Sequence, residues 1–259
     1  MLPRINALVS ASLLVLSNSI SGSFQQGGTV TVKYTASLGD SVQCLDQINT
    51  ARGAAGLPNF TEATDTNTLP SPGAQELQQG SEWRKLCEHL IPTQEANYQA
   101  ATKADNPFKD GTYAFKSLTG AQFSCNDTVD YWKASFKNFT GLPPSKSQAN
   151  GLYDKQDNAS FVALYNPSSN ATADCKFVVC TKTTTDAGDD AEDTRVVQSS
   201  QSGYALICKT MPAAFADENT APFTQQQWDA IVSSLTGSAT FPVPSLVGVA
   251  LIAVGVTVV

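Results

Sequence analysis

Histidine is nearly absent from this 259-residue chain, and cationic side chains are scarce. The chain has one histidine, His89, and 16 Lys and Arg against 23 Asp and Glu, which gives a formal net charge of −7. No cluster of Lys or Arg occurs, so the electrostatic footprint that nucleic acids or anionic lipid head groups require is missing. The sequence therefore predicts no nucleic-acid partner.

The side chains that most often perform catalysis are also scarce. General acid–base and nucleophilic catalysis usually employ a histidine or a thiolate. His89 has Glu88 as its neighbour, but adjacent residues of a helix point about 100° apart, which is poor geometry for a dyad. We therefore expect no enzyme activity and no catalytic residue, and a hydrolase is the least favoured alternative.

Metal-ligand spacing is absent as well. The cysteines form no CxxC knuckle and there is no second histidine, so the sequence predicts no metal site and no cofactor. An acidic run could suggest calcium, but it lacks the alternating ligands and the distal glutamate of an EF-hand, and we interpret it as a solvated loop. Its acidic residues are Asp186, Asp189, Asp190, Glu192 and Asp193.

Long apolar runs occur only at the two ends of the chain. Near the N-terminus Arg4 precedes an apolar run over residues 7–16 and then small polar residues, which is the three-part pattern of a secretory signal. Residues 1–23 are therefore predicted to be a signal peptide. Residues 24–237 are then the exported part, which is long enough for one domain with a substantial core.

The C-terminal apolar run covers residues 246–259, and Asp229 is the last charged residue. A membrane-spanning helix needs about 20 apolar residues and usually a flanking cation, whereas small residues, a short uncharged spacer and an apolar tail are typical of a GPI-attachment signal. We expect residues 238–259 to be removed and a GPI lipid to hold the protein on the extracellular face of the plasma membrane, with a short tail anchor as the alternative. The candidate attachment residues are Gly237, Ser238, Ser233 and Ser234.

Six cysteines in a chain with a secretory signal predict three disulfides, although six cysteines allow 15 pairings in principle. The cysteines are Cys44, Cys87, Cys125, Cys175, Cys180 and Cys208. Five Asn-X-Ser/Thr sequons are possible N-glycosylation sites, and each could also be an ordinary cap or turn residue. They begin at Asn59, Asn126, Asn138, Asn158 and Asn170.

Four segments have the apolar periodicity of helices. Their stripes are Val42, Leu45, Ile48 and Ala51; Trp83, Leu86, Cys87 and Leu90; Val129, Trp132, Phe136 and Phe139; and Trp228, Ile231, Val232 and Leu235. The second helix is predicted to open at Pro72, and Asn126 and Asp127 are the expected N-caps of the third. Thr224 and Gln227 form a capping box at the start of the last helix.

Three short runs rich in β-branched and aromatic residues predict strands over residues 160–165, 176–180 and 204–208. The turn-rich residues between the first two runs predict a hairpin. Helices before and after a cluster of strands indicate the α+β class.

Three blocks of the chain, at residues 48–60, 160–180 and 205–212, resemble the CAP superfamily, that is, proteins of the cysteine-rich secretory type. They are similar to its H-N-x-x-R helix with G-L-P, its H-Y-T-Q-V-V-W segment with a following cysteine pair, and its C-N-Y-x-P strand. The resemblance implies a CAP-like α-β-α sandwich, a single domain with a small antiparallel sheet flanked by helices. Ile48 stands where the first metal-binding histidine would be, and Ala159 or Ser160 where the second would be, so the metal site implied by the family is expected to be lost.

The same resemblance implies the disulfide pairing. In CAP proteins the first cysteine of the pair bonds to the neighbouring strand, which here joins Cys175 to Cys208. The second reaches back to the end of the second helix, which joins Cys180 to Cys87. Cys44 and Cys125 then remain to form the third disulfide with each other.

The signal, the six cysteines, the CAP-like middle and the GPI-type tail together resemble the surface-antigen (SAG) family of coccidian (Eimeria) parasites. That resemblance implies a non-enzymatic, GPI-anchored surface antigen, a monomer that mediates host-cell attachment or interaction with host immunity. Its partners would be the membrane, through the GPI lipid, and a host-cell surface molecule or antibodies. The alternative is a carrier of a lipid, sterol or other small hydrophobic ligand on a CAP-like fold.

Overall fold

The structure is a computed structural model that describes residues 29–40, 43–91, 108–187 and 196–237. In chain order its helices and strands are β1 (Thr29–Leu38), α1 (Leu45–Ala54), β2 (Thr61–Glu62), α2 (Glu82–Leu90), β3 (Thr112–Leu118), α3 (Cys125–Lys133), α4 (Gln156–Leu164), β4 (Thr172–Ala187), β5 (Val196–Met211) and α5 (Gln225–Thr236). Short 3₁₀ turns lie between them. This mixture of helices with one largely antiparallel sheet confirms the predicted α+β class.

The sheet is the middle of three layers. Its strand order is β1-β4-β5-β3, all antiparallel, and β2 pairs in parallel with the start of β4. Leu206 and Cys208 of β5 lie in the core cluster that contains residues of α1, α3, α4 and α5, whereas Ala205 and Ile207 lie in the cluster that contains α2. Because successive side chains of a strand point to opposite faces, the two helical groups cover opposite faces of the sheet.

At one end of the sheet, none of the described side chains is among the buried residues of either core cluster. We call this end the distal arm, and it consists of residues 29–33 of β1, 183–187 of β4 and 196–200 of β5. Thr29 pairs with Ala187, and Ala187 in turn pairs with Val196. The deepest core residues of β4 and β5 lie toward the opposite end, around Cys175 and Cys208. The opposite end, where β4 begins and β5 ends, is the base of the sheet.

Three disulfides link these elements. They are Cys44–Cys125 between the starts of α1 and α3, Cys87–Cys180 between α2 and β4, and Cys175–Cys208 between residues that face one another on β4 and β5. These are the three pairs that the CAP resemblance implies, and none of the described cysteines is free. Two of the bonds therefore reinforce the sheet and its contact with α2, and the third joins two helices of the opposite layer.

The strand predicted over residues 160–165 is wrong. These residues lie in α4 and at its end, and the five helical ones, 160–164, are all buried. A helix that is buried all round has no polar face, so its sequence shows a short apolar run that periodicity alone cannot distinguish from a strand. The residues after it connect α4 to β4 and do not form a hairpin. The other two predicted strands are confirmed as parts of β4 and β5, which pair with each other.

Two predicted helix starts are also wrong. The second helix begins at Glu82, where Ser81 accepts a hydrogen bond from the N–H of Arg84, and not at Pro72. The third begins at Cys125 with Ser124 as the N-cap, so Asn126 and Asp127 lie inside it. Serine is as good an N-cap as asparagine or aspartate, and the sequence offered all three. The capping box of Thr224 and Gln227 at the start of α5 is confirmed.

Candidate functional site

The positions that correspond to metal ligands in the CAP comparison carry no ligand chemistry. Ile48 is buried in the core. Ser160 is also buried, and its Oγ accepts a hydrogen bond from the N–H of Phe115 at 3.0 Å and donates to the Gln156 carbonyl at 2.8 Å. Ala159 lines a groove described below. Within the described residues, no group of three or more His, Cys, Asp or Glu side chains could hold a metal ion.

Arg52, from the segment that resembles the CAP first helix, is a buried cation that holds a loop against two helices. Its Nε donates to the Pro58 carbonyl at 2.9 Å and its Nη1 to the Leu164 carbonyl at 3.0 Å. The guanidinium carbon lies 3.6 Å from the centre of the Phe60 ring. Burial lowers the pKa of Arg52 to about 10, and the neighbouring Tyr165 partly opposes that shift. The role of Arg52 in this chain is therefore structural.

His89 does not form a dyad with its sequence neighbour. Oε1 of Glu88 accepts a hydrogen bond from Nε of Arg84 at 2.6 Å, one turn earlier on α2. The imidazole ring is half-buried, with its centre 6.1 Å from that of the Phe115 ring. The carboxylate that would orient the imidazole for catalysis is thus engaged by another cation.

A second buried cation lies on β5. Lys209 is 1% exposed, and its Nζ donates to Oδ2 of Asp110 at 2.7 Å and to the carbonyls of Thr66 and Thr68 at 3.0 and 3.1 Å. Oδ1 of Asp110 accepts a hydrogen bond from the Tyr113 hydroxyl at 2.9 Å. Partial desolvation raises the pKa of Asp110, but Lys209 and Tyr113 together lower it more, so the net pKa lies below its usual value. These contacts tie two loops to the sheet.

Several predicted features lie outside the described residues. These are the signal peptide at residues 1–23, the tail at residues 238–259 with Ser238, and Asp189, Asp190, Glu192 and Asp193 of the acidic run. Asp186, the remaining acidic residue of that run, is exposed at the end of β4.

The three candidate residues for GPI attachment that the structure describes differ in their surroundings. Ser233 and Ser234 lie within α5, and Oγ of Ser234 donates to the Ile231 carbonyl at 2.7 Å. Leu235 packs against the core after them. Gly237 follows the helix with a φ of 69°, a left-handed conformation typical of a residue that ends a helix. Cleavage after Ser233 or Ser234 would remove a core contact, whereas cleavage after Gly237 would leave α5 intact.

The five sequons also differ in accessibility. The exposed asparagines are Asn59, Asn126, Asn138 and Asn170. Asn158 is fully buried, with its Nδ2 donating to the Leu152 carbonyl at 2.8 Å and its Oδ1 accepting from Nδ2 of Asn138 at 2.7 Å. The folded structure therefore leaves no space for a glycan on Asn158.

A groove of about 580 Å³ opens beside the start of β3, and we call it the aromatic groove. Its lining includes Phe108, Lys109, Tyr113, Tyr153, Gln156 and Phe215. The ring centres of Tyr153 and Phe215 are 4.5 Å apart, and the Tyr153 hydroxyl donates to the Pro144 carbonyl at 2.7 Å. Sequence reasoning did not find this groove because its residues come from separate segments and none of them belongs to a motif.

Comparisons with known proteins give one family. A family model described as the sporozoite surface antigen (SAG) protein domain matches residues 40–250. The sporulated oocyst TA4 antigen of Eimeria tenella is 30% identical over 205 residues, which are 76% of this chain and 76% of that protein. No solved structure matches the chain. Among the described helices, none is both long and apolar enough to cross a membrane.

The family match includes all the described residues from position 40 onward, and with them the six cysteines, the buried Arg52 and the aromatic groove. The SAG resemblance predicted from the sequence is confirmed by both comparisons, and the chain belongs to the sporozoite surface antigen (SAG) family.

Proposed function

We propose that this surface antigen is a non-enzymatic protein, held on the parasite membrane by a GPI lipid, that contacts host cells or host antibodies through its distal arm. Membership of the SAG family supports the surface role. The lack of ligand chemistry at Ile48 and Ser160 and the pairing of Glu88 with Arg84 support a function without catalysis.

The observation that carries this proposal is that the C-terminal end of the described residues lies at the opposite end of the sheet from the distal arm. Near the end of α5, Ser234 lies beside Tyr165, which follows α4 and precedes the start of β4. The C-terminal end of the described domain is therefore near the base of the sheet. From the base, β4 extends over 16 residues, or about 50 Å at about 3.3 Å per residue, to the distal arm. A lipid attached after α5 would direct the arm away from the membrane.

The arm has the surface of a contact site. Thr31, Lys33 and Ser200 are exposed, and Val30 is one of the few large apolar side chains that are exposed in the described part of the chain. Pairing of β3 with β5 covers only residues 204–210 of β5, so residues 196–203 have no β3 partner. Polar strands with accessible edges can bind another protein while the disulfide-linked core stays unchanged.

The carrier alternative has less support. A carrier of sterols or lipids needs a mostly apolar cavity that encloses its ligand. The aromatic groove is open, and Lys109, Lys146 and Asp154 contribute charges to its lining. We therefore retain the surface antigen as the proposed function.

The host contact is tested with the full chain displayed on cultured cells. Thr31→Glu combined with Ser200→Glu places two charges on the arm and should reduce adhesion to host epithelial cells. Thr50→Glu combined with Gln148→Glu places the same charges on exposed positions outside the arm and should leave adhesion unchanged. Equal adhesion of both variants and the unmodified protein would contradict a role of the arm.

The anchor is tested on the same cells. Phosphatidylinositol-specific phospholipase should release the protein, because small residues, an uncharged spacer and an apolar run in this order are typical of a GPI-attachment signal. Retention of the protein after treatment, with tail peptides detected by mass spectrometry, would exclude the GPI anchor.

A further inference from the structure

The aromatic groove is a concave site that the proposed contact through the arm does not use. It lies at the base of the sheet, since Thr112 of β3 pairs with Thr210 near the end of β5. Its volume of about 580 Å³ lies within the range of about 300–1,000 Å³ that is usual for small-molecule sites. The groove is therefore large enough to hold a small organic molecule.

Two aromatic rings form a fixed wall of the groove. The Tyr153 hydroxyl is held by the Pro144 carbonyl, and the Phe215 ring packs against the Tyr153 ring at an angle of 50°. The loop that carries Phe215 is fixed by Glu218, whose carbonyl accepts from the N–H of Ser147 at 2.8 Å. Both rings remain half-buried and line open space. Aromatic faces carry partial negative charge and attract the polarised C–H groups of a ligand.

The polar groups of the groove include both donors and acceptors. Nε2 of Gln156 donates to the Tyr113 carbonyl at 2.9 Å and to Oγ of Ser160 at 3.2 Å, which leaves Oε1 as the remaining acceptor of this side chain. Lys109 supplies an exposed ammonium group, and Asp154 supplies a carboxylate. Because a hydroxyl group both donates and accepts hydrogen bonds, a ligand with several hydroxyls can use all three groups.

The balance of charge selects against an anion. Nζ of Lys146 is already bound to Oε1 of Glu218 at 2.7 Å, and the charge of Lys109 is opposed by that of Asp154 in the same lining. A sulfated or phosphorylated ligand would find no excess of positive charge. A divalent cation would find one carboxylate in the lining, which is too few oxygen ligands.

Gly111, in the lining of the groove, packs tightly against the end of β5. Gly111 has a φ of 119°, and a Cβ at this position would lie 3.2 Å from the Thr210 carbonyl oxygen and 3.0 Å from the Met211 sulfur. Only glycine adopts this conformation easily. Glycine at this position therefore lets the segment before β3 pack closely against the end of β5.

We propose that the aromatic groove binds a neutral carbohydrate of one or two hexose units, with the C–H face of a sugar ring against Phe215 and Tyr153. Gln156, Asp154 and Lys109 bind its hydroxyls. This site goes beyond the proposed function and does not depend on host contact through the arm.

The test uses the full chain, purified in detergent from a eukaryotic secretory host, on an array of neutral, sulfated and sialylated oligosaccharides. Calorimetry then measures affinity for the neutral saccharide with the strongest signal. Binding should be restricted to neutral saccharides and should weaken roughly tenfold in Phe215→Ala, because a stacked aromatic contact of this kind contributes on the order of 1 kcal/mol or more. Lys109→Ala changes an exposed side chain and should weaken binding severalfold without affecting the fold.

The matched control is Phe123→Ala, which removes a half-buried aromatic ring that stacks on Phe177 away from the groove. It should bind the saccharide as the unmodified protein does, and thermal unfolding verifies that each variant is folded. Vesicles that carry a neutral glycolipid, compared with its free headgroup saccharide, distinguish a membrane source from a soluble one.

Three results would overturn this proposal: no binding to any neutral saccharide, binding to sulfated saccharides only, or unchanged affinity in both Phe215→Ala and Lys109→Ala. The cell-adhesion assay separates the two proposals. If groove variants lose saccharide binding but still adhere to host cells, the saccharide site is supported independently of the arm. If arm variants lose adhesion but still bind saccharide, the contact through the arm is supported and the saccharide site is unaffected.

Discussion

Replacement of Arg52 by lysine should strongly destabilise the domain although it keeps the charge. Arg52 is fully buried, and its guanidinium group reaches the carbonyls of Pro58 and Leu164 while it lies on the Phe60 ring. A lysine ammonium is a compact point charge and cannot reproduce this planar fork. The variant therefore loses at least one hydrogen bond and the contact with the aromatic ring.

The size of the effect follows from these contacts. A hydrogen bond from a charged donor contributes about 1.5–3 kcal/mol, and a desolvated cation–π contact contributes about 2 kcal/mol. The free energy of unfolding of Arg52→Lys should therefore fall by roughly 3–5 kcal/mol. Domains of this kind usually have a free energy of unfolding of about 5–15 kcal/mol. The variant should therefore lose a large part of its stability.

Urea unfolding of the oxidised protein, followed by fluorescence, measures this change, and an unchanged m-value verifies that both proteins unfold to the same extent. Arg84→Lys is the control. Arg84 also lies over an aromatic ring, that of Tyr34 at 4.2 Å, but its ion pair with Glu88 lies within one helix and a lysine can keep it. The free energy of unfolding of Arg84→Lys should therefore fall by at most about 2 kcal/mol, the contribution of one cation–π contact. A decrease in Arg52→Lys that is no larger than the decrease in Arg84→Lys would refute the structural role of Arg52.

Two further predictions follow from the buried polar contacts. Because Lys209 and Tyr113 lower the pKa of Asp110 in the folded protein, the stabilisation from Asp110 should be fully present above the unfolded pKa of about 3.9 and should be lost as the pH falls through the lower folded value. Asp110→Asn should lack this part of the acid dependence in thermal unfolding measured between pH 2 and pH 6, and identical curves would contradict the assignment. Glycopeptide mapping of the protein secreted from a eukaryotic host should find Asn158 unmodified, and any glycans should lie on the exposed asparagines Asn59, Asn126, Asn138 or Asn170. A folded protein with a glycan on Asn158 would show that the contact between Asn158 and Asn138 is misplaced.

The sequence predicted the elements that are amphipathic or that carry local signals. The last helix was found because Thr224 and Gln227 cap it and its apolar residues repeat along one face. The central strands β4 and β5 were found because their apolar runs are flanked by turn residues. The edge strand β1 was not predicted, although Val30, Val32 and Tyr34 alternate with polar residues and this period of two is a local signal of a strand.

The aromatic groove illustrates what local patterns do not contain. Lys109 precedes β3, Tyr153 lies in a 3₁₀ turn before α4, and Phe215 follows β5. Each residue alone is typical of an ordinary loop. Only the pairing of β3 with β5, and the contact of Lys146 with Glu218, bring the three segments together.

The sequence by itself determined the α+β class, the scarcity of catalytic side chains and the resemblance to the SAG family, because composition, periodicity and motif order do not depend on long-range contacts. The tertiary structure decided that residues 160–164 form a helix, since burial on all sides removes the polar face that would have marked it. It also decided that Asn158 is inaccessible and that separate loops form one groove. Those properties depend on distances between residues far apart in the chain, and such distances are set by the packing of the helices on the sheet.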